Sequence, residues 1–286
     1  MPVSKPLKIA DDEFKMAFLF CGISNHFESL GKCIDYLRAL YGQNTDKQMC
    51  PPNTENPMPS YLFRGESGIF DTTYSCKTRI DIDFFGRMEK EQKKLADLIQ
   101  YCGERLTQTI HGFSPDERVA FLQHYGLPTY ALDTTSDLDT AAYFGSFGDT
   151  ERVKLIAVIN TDKLLKVNFP PIDLSTGRFG SRPSKQHTFS ICPGSRDNLK
   201  SPRITDLFDV KWFSYVLTEG DKQIFNTSKC YLSEDDNSFT SLLALFIREY
   251  ESAYGKIHSK IKQYYSGNIH PLKQGRDDNR QFLKFS

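Results

Sequence analysis

The chain has 286 residues, of which 39% are hydrophobic and 13% aromatic, so it can bury a sizeable core and does not have a disordered composition. Its 36 lysines and arginines balance its 36 aspartates and glutamates. This zero net charge argues against broad binding to nucleic acids or anionic membranes, although a local basic patch is compatible with it.

The cysteines bear on the compartment and on metal binding. There are seven, at positions 21, 33, 50, 76, 102, 192 and 230, and no pair has the Cys-x-x-Cys spacing. An odd, widely spaced set is typical of neither a disulfide framework nor a zinc site. We therefore expect a cytoplasmic protein with reduced thiols and no bound metal.

The first apolar segment is Met16–Ile23, which we predict to be a buried strand within a lead-in over residues 1–24. It is too short to span a bilayer. It follows Asp11, Asp12 and Glu13, whereas a signal peptide needs a basic segment at this place. We predict no membrane segment here or elsewhere in the chain.

The next segments predict a helix, a loop and a short strand. Residues 26–41 carry apolar side chains at helical spacing, and Asn25 is placed to cap the start of that helix. Residues 42–60 are rich in Asn, Pro and Thr, which indicates an exposed loop. Tyr61–Phe63 then resembles a strand whose end delivers Arg64 and Gly65.

A well-formed helix start lies at Ser114–Glu117. Ser114 is the predicted N-cap, Pro115 takes the first helical position, and Glu117 completes a capping box. We predict that this helix ends at Gly126, because Pro128 prevents its continuation.

The remaining segments predict further helices and strands. We expect long amphipathic helices over 85–110 and 238–265, a short helix from Ser136, and strands over 153–159 and 212–217. Two stretches show no clear pattern, residues 66–84 and residues 168–210.

Strands and helices mix without regular alternation, which favours the α+β class. We predict one compact domain with a small mixed sheet flanked by amphipathic helices. Its sheet should include Tyr61–Arg64, Val153–Ile159 and Trp212–Leu217.

Arg64 is a candidate anion anchor. A guanidinium at the end of a strand is well suited to hold a phosphate or carboxylate. Gly65 allows a sharp turn or a close approach to a ligand. The structural alternative is an arginine paired with Asp133 or another carboxylate.

His124 is the second candidate, on the last turn of the predicted helix. It could titrate near neutrality, and a helix C-terminus would favour its charged form. Asp133 lies just beyond the Pro128 turn and could orient the imidazole. The alternatives are a structural histidine, and capping of the helix near Ser136 by Asp133 and its neighbours.

Other chemical patterns are weak or absent. The chain has no Gly-x-Gly-x-x-Gly, Walker, His-Glu-x-x-His or Gly-x-Ser-x-Gly pattern. Asp81–Asp83 lacks the further ligands of a calcium loop, so a solvated turn is the preferred interpretation. Gly177–Arg182 could be a mobile phosphate-binding loop, although an ordinary surface loop is the simpler interpretation.

These residues resemble the FRG domain family, which is named for a Phe/Tyr-Arg-Gly motif matched here by Phe63–Gly65. The family's second motif reads Gln-His-Tyr-Gly-Leu-Pro-Thr-Arg-Leu-Leu-Asp-Trp-Thr, followed by an Ala-Leu-Tyr-Phe-Ala helix. Gln123–Thr129, with Leu132, Asp133 and Thr135, matches it, and Ala142–Phe144 resembles the helix.

A weaker third motif of the family, with an Arg, a Gln and a Phe, is similar to Arg182, Gln186 and Phe189. The resemblance covers roughly residues 25–220, which we predict as the FRG-like domain. We predict residues 221–286 as a helical extension packed on the same domain.

The chain departs from the family pattern at two positions. The family's Arg after Pro-Thr is Tyr130 here, and its Trp after Asp is Thr134. If the missing Arg bound a ligand, Arg178 or Arg182 would have to replace it. Tyr130 could replace the Trp as a stacking surface.

The family's members are bacterial and phage proteins, often near toxins or defence systems. Their spaced Arg, His and polar residues are similar to those of NAD-cleaving ADP-ribosyltransferases. This second resemblance implies NAD as the substrate, and its cleavage through an oxocarbenium-like state. The acceptor, whether protein or nucleic acid, is left open.

The resemblance implies a role for each candidate. Arg64 would hold the pyrophosphate or the nicotinamide ribose, His124 a ribose hydroxyl, and Asp133 or Glu66 would stabilise positive charge. Against catalysis, no clear catalytic Glu lies late in the chain, because Gln186 occupies the suggestive place.

The predicted site therefore has two sets of residues. The catalytic set is Arg64, His124 and Asp133, and the substrate-binding set is Phe63, Gly65, Glu66, Gln123, Tyr125, Thr129, Tyr130, Thr135, Arg182 and Gln186. The alternative function is a non-catalytic module that binds a nucleotide or a protein.

Overall fold

A mixed sheet organises the part of the chain that the structure describes. The structure is a computed structural model that describes residues 22–42, 58–68, 73, 75–146, 153–192, 198–221 and 234–262. Within these ranges the sheet has seven strands, in the order β1-β7-β4-β2-β3-β6-β5. They are β1 (Ile23–Phe27), β2 (Tyr61–Glu66), β3 (Leu132–Thr135), β4 (Val153–Asn160), β5 (Ile172–Asp173), β6 (Thr188–Ile191) and β7 (Val210–Val216).

Helices of very different length surround this sheet. The long ones are α1 (Leu30–Tyr41), α3 (Glu89–Thr109), α4 (Pro115–His124) and α9 (Glu234–Tyr254). The shorter ones are α2 (Cys76–Asp83), α5 (Leu138–Gly145), α6 (Thr161–Lys166), α7 (Ser181–Lys185), α8 (Pro202–Phe208) and α10 (Ser259–Lys262), with a 3₁₀ turn at Gly177–Phe179.

The register of the sheet brings the predicted motifs together. Only the β1–β7 pair is parallel among the described strands, and the other neighbours are antiparallel. Phe63 of β2 lies opposite Thr135 of β3, and Asp133 of β3 lies opposite Ser190 of β6. The Phe-Arg-Gly segment therefore runs beside the strand that follows the Gln-His-Tyr segment.

The buried apolar side chains form three clusters. Leu62 packs with Trp212 in one cluster, whereas Phe63 packs with Phe213 in another. Since consecutive side chains of a strand point to opposite faces, these two clusters cover the two faces of the sheet. The third cluster joins α3, α4 and α9, with Phe121 and Phe246 among its members.

The structure confirms the α+β class and a sheet that contains the three predicted strand regions. The predicted start of α4 is also confirmed. The Ser114 side chain accepts a hydrogen bond from the backbone of Glu117, whose carboxylate accepts one from the Ser114 backbone. The chain leaves this helix at Gly126, whose φ of 101° is in the left-handed region that favours glycine.

The prediction for the first helix was wrong at its start. Asn25 lies in β1, and α1 begins at Leu30 with Ser29 as its N-cap. The Ser29 side chain accepts a hydrogen bond from the backbone N–H of Lys32. The apolar spacing continued by chance into β1, so the periodicity alone placed the boundary too early.

Two stretches without a predicted pattern contain regular elements. Helix α2 lies within residues 66–84, and the stretch 168–210 contains β5, β6, α7 and α8. Helices of five to eight residues are too short to show a clear period, and β6 is buried at all four positions. Its residues Thr188–Ile191 do alternate polar and apolar, but four positions are too few to distinguish a strand from a loop.

The two long predicted helices also need smaller corrections. Helix α3 covers Glu89–Thr109 where we expected residues 85–110. The predicted helix over 238–265 is α9 and α10, separated at Gly255, whose φ is 87°. Most of Met16–Ile23 and of the loop 42–60 lies outside the described residues. Among those described, no helix has the length and apolar character needed to cross a bilayer.

Candidate functional site

Arg64 and Asp133 are in direct contact. The Arg64 Nη1 donates a 2.7 Å hydrogen bond to the backbone carbonyl of Asp133. Arg64 lies inside β2, which continues to Glu66, so the prediction that the strand ends at Arg64 was wrong. The predicted structural alternative, pairing with Asp133 or another carboxylate, is met by Glu66, while Asp133 accepts through its backbone.

The Arg64 guanidinium is only partly neutralised. Its Nε lies 3.7 Å from Glu66 Oε1, and its side chain is 25% exposed. This Nε is buried and has no hydrogen-bond partner among the described residues. Because a buried N–H without a partner is costly, the position favours an added acceptor.

Glu66 is committed mainly to another cation. Its Oε2 accepts a 2.7 Å hydrogen bond from Lys200 Nζ, and its Oε1 accepts one of 2.7 Å from the Thr73 hydroxyl. The Lys200 ammonium also lies 4.8 Å from the centre of the Trp212 ring. Among the described residues, two cations, Arg64 and Lys200, thus share the Glu66 carboxylate.

The Asp133 carboxyl lies close to these cations. Burial raises its pKa, while the Arg64 guanidinium, a hydrogen bond from Ser190 and the Arg182 guanidinium oppose the rise. The Ser190 hydroxyl donates to Asp133 Oδ1 at 3.2 Å. Among the described residues, the Asp133 carboxylate accepts a hydrogen bond from Ser190, and the His124 imidazole is bonded to Arg182. The prediction that Asp133 orients His124 was therefore wrong.

His124 is held by Arg182 in its neutral form. The imidazole Nε2 accepts a 3.3 Å hydrogen bond from Arg182 Nε, and the His124 backbone carbonyl accepts another from Arg182 Nη2. Burial, and then the Arg182 charge, lower the pKa of His124 well below its ordinary value. The expected charged histidine is therefore wrong, because the cost of burying charge exceeds the helix-end effect.

This arrangement predicts a loss of stability in mild acid. The unfolded chain binds a proton on His124 near the ordinary pKa of about 6.5, whereas the folded chain does not until lower pH. The free energy of unfolding should decrease as the pH is lowered from about 6.5. His124 should contribute up to about 1.4 kcal/mol per pH unit to this decrease. Urea denaturation between about pH 5 and pH 8 measures this slope.

His124→Gln should flatten this dependence, while His111→Gln, at an exposed position, should leave it unchanged. Equal slopes in wild type and His124→Gln would contradict a buried neutral histidine.

The other polar residues of the second motif hold the backbone. Gln123 Oε1 accepts from the backbone N–H of Thr129 at 2.9 Å, and the Thr129 hydroxyl donates to the Val119 carbonyl at 3.2 Å. These bonds fold the turn after α4 back onto the helix. Their predicted role in substrate binding stays a prediction.

Tyr125 and Arg182 join the motif to the C-terminal part of the chain. The Tyr125 hydroxyl donates to Asp236 Oδ1 at 2.5 Å, and the backbone N–H of Arg182 donates to both oxygens of Asp236. Asp236 belongs to α9 and is fully buried. The C-terminal helix is thus hydrogen-bonded to the motif residues next to His124.

Gly65 serves the packing of a helix on the sheet. A Cβ at this position would lie 1.8 Å from the Ala141 carbonyl oxygen and 2.5 Å from the Gly145 backbone nitrogen. Both atoms belong to α5, which therefore approaches β2 more closely than any side chain permits. The close approach that we expected for a ligand is made by this helix.

The remaining predicted residues have varied surroundings. Tyr130 is 36% exposed, and its hydroxyl donates to Asp81 Oδ2 at 3.0 Å. The Thr135 hydroxyl donates to the Gln186 backbone carbonyl at 2.6 Å. Thr134, where the family has Trp, donates to the Phe189 carbonyl at 3.1 Å. Phe63 is buried in the core on the α5 side of the sheet.

Arg178 and Arg182, the two candidates to replace the family's missing Arg, have different partners. Arg178 pairs with Glu117 and lies 4.5 Å from the centre of the Phe179 ring. Arg182 binds His124, as described above. Asp81, expected in a solvated turn, lies in α2 and pairs with Lys77.

Sequence reasoning missed Lys200, Ser190 and Asp236. Each acts through a partner more than 50 positions away, and none belongs to a recognisable pattern. Among the residues with a described position, no group of three His, Cys, Asp or Glu side chains is placed to hold a metal ion.

Comparison with known proteins identifies one family. The model of the FRG domain matches residues 59–152, which include both Phe63–Gly65 and the Gln123–Thr129 segment. The resemblance recognised in the sequence is therefore confirmed for this part of the chain. No curated protein and no solved structure matches the chain.

Proposed function

We propose that this FRG domain binds a dinucleotide through its pyrophosphate at Arg64, with NAD as the first candidate, and replaces the bond from ribose to nicotinamide by a bond to water or to an acceptor group, with nicotinamide as the leaving group. The observation that supports this most is the partly neutralised, partly exposed Arg64 guanidinium, whose buried Nε has no hydrogen-bond partner among the described residues. An arginine with free donors suits a phosphate group.

The surrounding charges support an anionic ligand. Lys200 and Arg64 share the Glu66 carboxylate, and Arg182 contributes a third positive charge to the surroundings of Asp133. A phosphate near Arg64 would be attracted by the guanidinium in a partly buried place, where such interactions are less screened.

Asp133 is the proposed group for the chemical step. As nicotinamide leaves NAD, positive charge develops on the ribose, and a fixed carboxylate can stabilise it. The Ser190 hydroxyl and the Arg64 bond to the Asp133 backbone hold this residue in place. Its raised pKa makes the reaction depend on ionisation of this carboxyl, so activity should be lost in acid.

The alternative is a module that binds a nucleotide or a protein without catalysis. It is favoured by the use of Gln123, Tyr125 and Arg182 in hydrogen bonds within the protein, to Thr129, Asp236 and His124. Gln186, where we looked for a catalytic acid, is buried.

Replacing Arg64 should weaken NAD binding with a small effect on folding. The loss of a charge-assisted hydrogen bond of about 1.5–3 kcal/mol corresponds to roughly ten- to a hundred-fold weaker binding. Isothermal titration of Arg64→Gln with NAD measures this change, and thermal unfolding shows whether the variant is folded.

Arg178→Gln is the matched control, because Arg178 is an arginine already paired with Glu117. It should bind NAD like the wild type. Equal binding by wild type and Arg64→Gln, or loss of binding in Arg178→Gln alone, would contradict the assignment of the anion site.

Nicotinamide release separates the two proposals. If the protein is an enzyme, Asp133→Asn should retain NAD binding and lose nicotinamide release, because the amide cannot stabilise positive charge. If wild type binds NAD and releases no nicotinamide, the non-catalytic module is correct.

A further inference from the structure

A groove between α3 and α9 lies outside the candidate nucleotide site. Its cavity volume is about 270 Å³. The groove is lined by Asp97, Gln100, Tyr101, Glu104, Tyr250 and Tyr254. None of these residues takes part in the Arg64–Asp133 contact or in the FRG motifs.

Three tyrosine rings form the aromatic part of this groove. The ring centres of Tyr101 and Tyr250 are 5.7 Å apart, and those of Tyr250 and Tyr254 are 5.0 Å apart. The Tyr101 hydroxyl donates to Glu249 at 3.1 Å, and the Tyr250 hydroxyl donates to the Lys94 carbonyl at 3.0 Å. Tyr250 is 4% exposed and packs behind the other two rings, whereas Tyr101 is partly buried and Tyr254 is 62% exposed, so a ligand would meet mainly the rings of Tyr101 and Tyr254.

The groove also carries negative charge. Asp97 and Glu104 form no ion pair with any of the residues whose positions are described. The nearby Arg105 is paired with Glu249 and lies over the Phe246 ring. Lys94 donates to a backbone carbonyl and lies 4.0 Å from Glu91. Neither cation therefore neutralises the two groove carboxylates.

We infer that this groove binds a quaternary ammonium group of a small molecule. Aromatic rings attract a cation placed over their faces, and the two carboxylates add a Coulomb attraction. The volume is slightly below the roughly 300–1,000 Å³ of pockets for larger ligands, which fits a compact head group. A quaternary ammonium has no N–H to donate, so it matches rings better than a primary ammonium does.

Tetramethylammonium chloride is the probe, with amide chemical shifts of ¹⁵N-labelled protein as the readout at constant ionic strength. We expect saturable shifts around residues 97–104 and 250–254. The neutral tert-butanol, of similar shape, tests the charge, and methylammonium tests the quaternary preference. Both should bind more weakly than tetramethylammonium.

Tyr254→Ala should weaken tetramethylammonium binding about two- to five-fold, whereas Tyr254→Phe should retain it. Tyr36→Ala is the matched control, because Tyr36 is also a surface tyrosine, 36% exposed, on another helix. Absence of saturable shifts, equal binding of tert-butanol, tighter binding of methylammonium, or an unchanged affinity in Tyr254→Ala would each overturn the inference.

Discussion

Gly65→Ala is expected to destabilise the protein by about 3 kcal/mol or more, at the upper end of overpacking effects. The added Cβ would lie 1.8 Å from the Ala141 oxygen and 2.5 Å from the Gly145 nitrogen. Both are backbone atoms, so no side chain can rotate to make room. Helix α5 would have to move away from β2, and chemical denaturation would measure the loss.

Gly103→Ala is the control for the Gly65 prediction. A Cβ at Gly103 would meet only Leu122 Cδ1, at an ordinary contact distance of 3.9 Å. Gly103 lies within α3, so alanine should be neutral or stabilise by about 0.5–1 kcal/mol. If both variants are as stable as the wild type, the result would contradict the close packing of α5 against β2 at Gly65.

The glycine of the Phe-Arg-Gly motif thus has a physical explanation that the sequence could not supply. Gly65 is compatible with a turn, a ligand contact or a packed helix, and only the position of Ala141 distinguishes them. The short helix α5 was predictable from its own residues. Its distance from β2 is a tertiary property that no local pattern encodes.

Local signals did predict the elements whose boundaries depend on neighbouring residues. The Ser114 capping box is complete within four positions, and α4 starts as predicted. The strand segment Val153–Ile159 is apolar at every position except Lys154, a pattern that is visible without knowledge of its partners. The elements within residues 168–210 could not be predicted because they are short and buried. Strand β6, for example, has four residues.

For the candidate site, the sequence predicted that Arg64 and Asp133 lie together, but it did not predict which atoms make their hydrogen bond. Arg64 and Asp133 do meet, although through the Asp133 backbone. The protonation state of His124 depends on its burial beside Arg182, 58 positions away. The helix C-terminus raises the pKa of His124 and can be predicted from neighbouring residues. Burial and the Arg182 charge lower that pKa, and they become visible only in the folded structure.

These contacts also divide the FRG motifs by task. Gln123 and Thr129 shape the turn that leads to β3, and Gly65 admits α5. Arg64 keeps a buried donor without a partner among the described residues, so it is the motif residue best suited to meet a ligand. The contacts of Gln123, Thr129 and Gly65 account for local folding, and chemical roles for Arg64 and Asp133 stay a proposal.

Lys200→Met is the second substitution with a large expected effect, a loss of about 3–5 kcal/mol in the free energy of unfolding. The Lys200 side chain is fully buried, and its Glu66 partner is 6% exposed at 2.7 Å. Without the ammonium, the partners that remain for the buried Glu66 carboxylate among the described residues are the Thr73 hydroxyl and the more distant Arg64. Urea denaturation at neutral pH measures the change.

Two comparisons test the cause of this loss. In the double variant Glu66→Gln with Lys200→Met, no unpaired carboxylate remains, so it should be more stable than Lys200→Met alone. Lys32→Met breaks a pair whose side chains are 63% and 72% exposed, and should leave the stability almost unchanged. A Lys200→Met loss no larger than that of Lys32→Met would contradict the buried pair. A double variant no more stable than Lys200→Met would assign the loss to the contact of the Lys200 ammonium with the Trp212 ring instead of to an unpaired Glu66 carboxylate.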